Sequence, residues 1–311
     1  MEIKNWTYEE FPAFNAQVEG AHYIETTGNE QSILYLNDVI YATMDGIPLH
    51  LQILIPTTRN NPYIPDSPSQ NFALPCCVYV KGSAWMKQNV YINLPDVAKV
   101  ASRGYVCAIV EYRHSLQAPF PAQAIDTRNA IRYLRMHCAE YGIDPERMIV
   151  AGGSSGGHTA MWAGIRHNDE TEENIYPGIS AEVSGIINYY GSVTVMLEAS
   201  NPSTPNYKLP DSPEGLEMGG VNLREREDLA RALSVEENID EGTRVPPVLI
   251  FHGTKDRIVN TTQSVTLYRK LKACGKEASL YLLKGADHGG AEFWTPEIID
   301  IVDRFIKDCL K

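Results

Sequence analysis

Short apolar runs alternate along most of the chain with segments whose apolar residues recur every three or four positions. The short runs are typical of buried strands, and the longer recurring pattern is typical of helices packed on one face. The predicted strands are residues 76–80, 106–110, 148–151, 186–190, 248–252 and 279–283. The predicted helices are residues 94–102, 123–137, 156–166, 262–274 and 293–307. This alternation predicts an α/β fold with a mostly parallel, doubly wound sheet covered by helices on both faces.

Two parts of the chain depart from the alternation. Residues 39–55 predict an antiparallel hairpin, because alternating segments flank Asp45 and Gly46, which favour a tight turn. Residues 191–238 contain four prolines and then a charged helical pattern, so we expect a small partial cap inserted over the sheet edge. Since no internal repeat or low-complexity linker is present, residues 1–311 are predicted to form a single domain.

Composition and charge narrow the classes of partner. The 311 residues are 43% hydrophobic and 21% charged, as in ordinary globular proteins, and the formal net charge is −12. That balance disfavours nucleic acid, whose phosphates require a concentrated Lys and Arg surface. The first twenty residues lack the apolar run of a secretory signal or membrane span, so we expect a cytoplasmic protein with no membrane partner. Removal of an export signal from a longer native chain would leave the same pattern, and nothing here fixes the oligomeric state.

Six cysteines are present without a Cys-x-x-Cys pair or the spacing of a zinc site. Several lie inside apolar runs, so we expect reduced and mostly buried thiols. No other cluster of His, Cys and carboxylate side chains has metal-ligand spacing. The sequence therefore predicts no metal and no organic cofactor.

A glycine-rich motif, residues 152–157 (GGSSGG), contains the pattern Gly-x-Ser-x-Gly. It follows the predicted strand 148–151 and opens a helical pattern, which is the context of a nucleophile elbow. The motif fits in two registers, and we choose Ser154 over Ser155 because Ser154 has glycines two before and two and three after it. The alternative is a phosphate-binding turn, but neither a dinucleotide-binding spacing nor a Gly-Lys-Ser/Thr ending is present.

An elbow serine needs a base to take its proton, and in an elbow of this type the triad follows the chain order Ser, Asp or Glu, His. Asp256 and His288 provide that order, and both follow predicted strands, at the edge where ligands bind in open α/β sheets. Ser154, Asp256 and His288 are therefore the predicted catalytic residues.

Three rivals are weighed against this triad. Asp287 adjoins His288, but neighbouring side chains diverge and would hold the ring poorly. His158 lies about one helical turn after Ser154 and is expected to be structural. His252 is expected to brace the loop that carries Asp256.

The negative oxygen of a tetrahedral intermediate requires two N–H donors. Ser155 is expected to supply one, and the loop of residues 81–85 (KGSAW), which follows the strand 76–80, is expected to supply the other.

These motifs together resemble the hormone-sensitive-lipase-related esterases of the α/β-hydrolase fold, and most closely the bifunctional feruloyl and acetylxylan esterase group. The resemblance spans residues 39–307 and includes the segments 120–123 (FPAQ) and 246–247 (PP) as well as the triad motifs. The sequence differs from the family motif at residues 81–85, where the family usually has His-Gly-Gly-Gly-Trp and this chain has Lys-Gly-Ser-Ala-Trp. Backbone donors survive such side-chain changes, so Ser83 can still supply the second oxyanion N–H. Trp85 could belong to the core, but its place beside the donors favours lining of the substrate pocket, whereas Lys81 has no assigned role.

The resemblance also implies a serine carboxylesterase acting through an acyl-enzyme on acetyl and feruloyl esters of plant cell-wall carbohydrate such as xylan. A small-molecule or oligosaccharide ester would be its partner. The same triad and oxyanion donors would also suit an arylformamidase or a peptidase-like hydrolase. An alternative from another functional class is a non-catalytic binding protein with this fold.

Overall fold

The computed structural model describes residues 3–165, 173–197 and 201–311. Within these residues, eight strands form one sheet in the order β1-β2-β4-β3-β5-β6-β7-β8. They are β1 (Ser32–Met44), β2 (Ile47–Thr57), β3 (Leu74–Val80), β4 (Val106–Val110), β5 (Ile143–Gly153), β6 (Ile186–Tyr189), β7 (Val248–Gly253) and β8 (Ala278–Leu283). Strand β2 pairs antiparallel with β1 and β4, and all other pairs are parallel. The predicted mostly parallel sheet with an N-terminal hairpin is confirmed.

The helices of the described residues occupy most of the segments between strands, as the pattern predicts. They are α1 (Leu94–Ala101), α2 (Ala122–Met136), α3 (Cys138–Tyr141), α4 (Ser155–Ile165), α5 (Pro213–Glu217), α6 (Glu227–Leu233), α7 (Thr262–Ala273) and α8 (Pro296–Cys309). Two 3₁₀ helices, Val235–Asn238 and Ala291–Trp294, complete them. Helix α4 begins one residue earlier than predicted, and the predicted last residue, Arg166, lies outside the described residues.

Helices cover both faces of the sheet because successive strand residues point to opposite sides. On β3, Val78 packs in the apolar cluster that includes residues of α2, α4 and α7. Its neighbour Tyr79 packs in the second cluster, with residues of α1 and α8. This two-sided burial fixes the central strands, so the loops at their carboxyl ends are held by a rigid support.

The hairpin is longer than predicted, and its turn is the expected one. Asp45 and Gly46 connect β1 to β2 with φ angles of 52° and 77°. Two residues with positive φ are the geometry of the tight turn that Asp-Gly favours. The strands extend to Ser32 and Thr57, beyond the predicted limits at residues 39 and 55.

The segment of residues 191–238 holds α5, α6 and a 3₁₀ helix, apart from residues 198–200, which lie outside the described part of the chain. It contributes a small apolar cluster of its own, which includes Val195, Leu223 and Leu233. The assignment of one domain with a partial cap stays a prediction.

The six cysteines are free thiols, and Cys76, Cys77 and Cys107 are buried. No helix among the described residues has the length and apolar character needed to cross a membrane.

Candidate active site

Ser154 occupies a sharp turn between a strand and a helix. Strand β5 ends at Gly153 and helix α4 begins at Ser155, so Ser154 alone connects them, with a φ of 57°. A Cβ on Gly152 would overlap the carbonyl of Gly156, and one on Gly156 would overlap the carbonyl of Val80. The glycines of the motif are therefore required by close backbone approach, and the turn is a nucleophile elbow.

His288 lies between Ser154 and Asp256. Its Nε2 is 2.8 Å from the Oγ of Ser154, and its Nδ1 is 2.8 Å from Oδ2 of Asp256. Because a carboxylate only accepts hydrogen bonds, Nδ1 carries the ring proton, and Nε2 is left to accept from the serine hydroxyl. The structure thus brings the three predicted residues together in the order that proton transfer requires.

Asp256 is held by four groups. Its Oδ1 accepts hydrogen bonds from the N–H groups of Ile258 and Val259, at 2.9 and 2.8 Å. His252 and His288 contact Oδ2 at 3.1 and 2.8 Å. Burial raises the pKa of this carboxyl, but the hydrogen bonds from the two histidines outweigh it, so the net pKa is well below its ordinary value. Asp256 is therefore ionised at neutral pH, as the partner of an imidazolium must be.

His252 has the bracing position expected from the sequence. Its Nε2 lies near two acceptors, Oδ2 of Asp256 and the carbonyl of Val259, so this nitrogen carries the proton. The Nδ1 then accepts from the Ser264 hydroxyl at 2.7 Å. This buried ring ties the loop after β7 to helix α7.

Neither Asp287 nor His158 has the geometry required of a triad residue. Asp287 is directed to Arg257, whose Nε donates to it at 2.7 Å. His158 is buried, and its Nε2 lies 2.9 Å from the carbonyl of Leu233. Burial lowers the pKa of His158 to about 4, so it stays neutral in the interior.

The loop of residues 81–85 packs directly on the elbow. A Cβ on Gly82 would overlap the carbonyl of Gly153, so this close approach requires glycine. The structure differs from the expectation for Ser83, because its N–H is already donated to the Oγ of Ser155, at 2.9 Å. Among the described residues, no partner contacts the backbone N–H of Gly82 or of Ser155. The N–H expected to be free at Ser83 is thus engaged, whereas the N–H of Gly82, one residue earlier, has no such partner in the part of the chain that the structure describes.

The prediction that Trp85 lines the substrate pocket is wrong. Its side chain is 1% exposed and points into the interior, where it packs edge-on against His158 with ring centroids 5.2 Å apart. The sequence could not indicate this, since a tryptophan beside a loop of this kind suits a pocket wall and a core equally well. The buried side chain of Trp85 therefore anchors the loop of residues 81–85 to the protein core.

A cavity of about 340 Å³ opens above Ser154 and His288. Its walls include Tyr79, Lys81, Ala84, Asn93, Tyr190 and Ile258. Tyr190 stands edge-on to the ring of His288, with centroids 5.0 Å apart. The sequence analysis missed Tyr190, although its position directly after β6 was a usable signal. Half-burial lowers the pKa of Lys81, whose Nζ donates to the carbonyl of Gly82.

Among the described residues, no group of three or more His, Cys, Asp or Glu side chains is arranged to hold a metal ion.

Curated relatives of the chain are ester hydrolases by name. The probable carboxylic ester hydrolase LipM of Mycobacterium tuberculosis is 26% identical over 67% of this chain and 47% of its own length. Esterase LipC of the same organism is 28% identical over 69% of this chain and 53% of its own length. The chain therefore spans about half the length of these relatives.

Solved structures share the fold. A truncated carbohydrate esterase from gut microbiota has a TM-score of 0.75 at 24% identity, covering 91% of this chain and 98% of that chain. An acetyl ester-xyloside bifunctional hydrolase from Caldicellulosiruptor lactoaceticus has a TM-score of 0.66 at 22% identity, covering 84% and 88%. At these identities the likeness shows the fold alone, which is that of the α/β-hydrolases and confirms the predicted fold class.

A family model settles the closer relationship. The BD-FAE model matches residues 62–271, which include the loop of residues 81–85, the elbow and Asp256. His288 follows the matched region, in the position that completes the site. Because the match extends over more than half of the sequence, the chain belongs to the BD-FAE family.

Proposed function

We propose that this protein is a serine carboxylesterase that forms an acyl-enzyme on Ser154. The observation that carries the proposal is the pair of 2.8 Å hydrogen bonds that joins Ser154, His288 and Asp256. This arrangement activates a serine for attack on a carbonyl carbon, whatever the fold. The names of LipM and LipC, both of them ester hydrolases, support the same reaction class.

In the first half of the reaction, the Oγ of Ser154 attacks the ester carbonyl while its proton passes to Nε2 of His288. The ionised Asp256 stabilises the imidazolium that forms. Collapse of the tetrahedral intermediate expels the alcohol, which takes the proton from Nε2. Water then attacks the acyl-enzyme by the same route and releases the acid.

The N–H groups of Ser155 and Gly82 are the proposed donors to the negative oxygen of the intermediate. Ser155 is the first residue of α4, where backbone N–H groups have no partner within the helix and the helix dipole favours negative charge. Gly82 packs directly against Gly153 and Ser154 of the elbow. Two fixed donors of this kind stabilise the transition state without reorganisation.

Short acyl esters, acetyl above all, of plant cell-wall carbohydrate such as xylan are the proposed substrates, with feruloyl esters as a further class. The cavity above Ser154 is small, and the methyl group of Ala84 narrows its wall. With Trp85 buried, Tyr79 and Tyr190 are the aromatic side chains left to contact a feruloyl ring. The names of the two structural neighbours, a carbohydrate esterase and an acetyl ester-xyloside bifunctional hydrolase, favour carbohydrate esters as substrates.

Hydrolysis of p-nitrophenyl acetate tests the reaction. Ser154→Ala should lower kcat by several orders of magnitude and abolish labelling by a serine-directed phosphonate. Ser102→Ala, which changes an exposed serine at the end of α1, is the matched control and should retain activity. If Ser154→Ala kept its activity, the acyl-enzyme proposal would fail.

A substrate panel tests the specificity. Acetylated and feruloylated xylan fragments should release acetate and ferulate, and p-nitrophenyl esters should react more slowly as the acyl chain lengthens from acetate to palmitate. Faster reaction of an anilide or of N-formylaniline derivatives would move the assignment to a peptidase-like hydrolase or an arylformamidase. No release from xylan fragments would refute the carbohydrate class while leaving the triad intact.

A further inference from the structure

A second and larger cavity, of about 560 Å³, lies within the segment of residues 191–238 and beside the loop after β7. We call it the cap pocket. Amide side chains of Asn206 and Asn260 and hydroxyls of Ser203, Thr204 and Tyr207 line much of it. A lining rich in amides and hydroxyls matches a ligand that carries many hydroxyl groups, whereas lipid pockets are lined by apolar side chains.

The cap pocket adjoins the cavity of the nucleophile. Tyr207 lines the cap pocket, and its hydroxyl donates to the carbonyl of Ile258, which lines the nucleophile cavity. Asn260, two residues after Ile258, lines the cap pocket. The same Ile258 donates its N–H to Asp256. The loop that follows β7 therefore borders both cavities.

Two cations line the cap pocket, Lys208 and Arg224. Neither has a carboxylate partner in the part of the chain that the structure describes. The contrast is within the same segment, since Arg226 pairs with Asp228 and Arg231 pairs with Glu227. Among the described residues that line the pocket, none is acidic. In a protein of net charge −12, two unpaired cations facing one polar cavity point to an anionic ligand.

We propose that the cap pocket binds an anionic group, a carboxylate or a phosphate, carried by a sugar in the alcohol part of the ester. This inference rests on the proposed esterase function. Arg224 can form paired hydrogen bonds with either anion, and Lys208 adds a second positive charge. The amide and hydroxyl groups around them contact the sugar hydroxyls. The anion thereby fixes the alcohol part while the acyl part enters the cavity at Ser154.

Three acetyl esters that differ only at C6 of the sugar test the inference. They are a monoacetylated methyl glucoside, the corresponding glucuronide and the corresponding 6-phosphate. We expect kcat/KM to be about tenfold higher for an anionic ester than for the neutral one, as charge-assisted hydrogen bonds allow. The preference should shrink at high salt. A preference for the glucuronide, the phosphate or both identifies the source of the anion.

Three variants test whether the preference for anionic esters arises in the cap pocket: Arg224→Gln, Lys208→Gln and the double variant. Each single change should reduce the ratio of kcat/KM between anionic and neutral esters, and the double variant should bring the ratio near one. Lys272→Gln is the matched control, because it removes one positive charge at the far end of α7, the helix that begins beside the pocket. It should leave the ratio as in the unmodified protein.

Equal kcat/KM for the neutral and both anionic esters would overturn the inference, and so would a preference that survives in the double variant. Hydrolysis of p-nitrophenyl acetate by the unmodified protein separates this result from a failure of the esterase proposal, because that ester has no sugar and no anionic group. If p-nitrophenyl acetate were hydrolysed but anionic sugar esters were not preferred, the proposal of anion binding in the cap pocket would fail while the esterase proposal stood.

Discussion

The backbone N–H of Ser83 donates a hydrogen bond to the side-chain oxygen of Ser155, at 2.9 Å. Ser155 directly follows the proposed nucleophile, so this bond joins the loop of residues 81–85 to the first turn of α4. The hydroxyl of Ser83 is held in turn by the carbonyl of Met86 and lies 3.2 Å from the hydroxyl of Tyr112. The position of Gly82, the proposed oxyanion donor, depends on this bond.

Ser155→Ala should therefore lower kcat for p-nitrophenyl acetate by about fivefold to tenfold, the effect of one lost hydrogen bond, with little change in KM. Ser154→Ala should cost several orders of magnitude. The melting temperature of Ser155→Ala reports any general loss of stability, and Ser102→Ala is the control. A rise in kcat would instead mean that the released Ser83 N–H serves the oxyanion itself.

Much of the site could be placed from the sequence because it follows from the sheet. The elbow needs glycines on both sides of Ser154, and the loops that carry Asp256 and His288 follow parallel strands whose carboxyl ends meet at one edge. These structural constraints produce recognisable patterns in the amino-acid sequence. They bring the three side chains to the same edge of the sheet.

The loop around residues 81–85 could not be placed in the same way. Its conformation depends on two local contacts, the hydrogen bond of Ser83 to Ser155 and the packing of Trp85 against His158. No period or motif in the sequence specifies either contact. The cap pocket is hidden for the same reason, since Lys208 and Arg224 lie in irregular backbone outside the helices and strands.

The acid of the triad is tested by a pair of substitutions. Asp256→Asn should lower kcat/KM by roughly three to four orders of magnitude, because an amide favours the wrong tautomer of His288. Asp287→Asn should cost less than about threefold, because the exposed Asp287 contacts the side chain and backbone N–H of Arg257 and not the ring of His288. Both are measured with p-nitrophenyl acetate. Comparable losses in the two variants would contradict the assignment of Asp256.

Buried carboxyl groups near α5 predict how stability changes with pH. Burial raises the pKa of Glu214 from 4.5 to about 7, although its own backbone N–H and the Ser192 hydroxyl oppose the shift. Burial also raises the pKa of Glu217 well above its ordinary value. Between pH 4.5 and about 7, these two carboxyl groups thus bind more protons in the folded protein than in the unfolded chain. Their contribution to the free energy of unfolding should therefore fall as the pH rises from 4.5 through 7, whereas the contribution of the buried His158, whose pKa is lowered, rises in part of this range.

Urea unfolding across this pH window measures the effect. Glu214→Gln mimics the protonated group, so the free energy of unfolding of this variant should fall less steeply with pH than that of the unmodified protein. Glu241→Gln, which changes an exposed carboxylate, is the control and should keep the original slope. An unchanged slope in Glu214→Gln would show that Glu214 is not the titrating group.

Ala84 stands where the related motif has glycine, and its φ of 54° is one that L-residues rarely adopt. A left-handed conformation costs a non-glycine residue about 1–2 kcal/mol, while glycine loses about 0.5–1 kcal/mol of backbone entropy on folding. Ala84→Gly should therefore raise the free energy of unfolding by about 0.5–1 kcal/mol. Ala98→Gly, within α1, is the matched control and should lower it by about 1 kcal/mol.

The same substitution tests whether Ala84 limits the acyl group. Its methyl group borders the cavity above Ser154, so its removal enlarges the space for an acyl chain. The ratio of kcat/KM for p-nitrophenyl butyrate to that for p-nitrophenyl acetate should rise in Ala84→Gly by about threefold to fivefold, because one buried methylene is worth about 0.8 kcal/mol. A ratio unchanged from that of the unmodified protein would mean that the acyl chain extends along another wall, toward Tyr190 and Ile258.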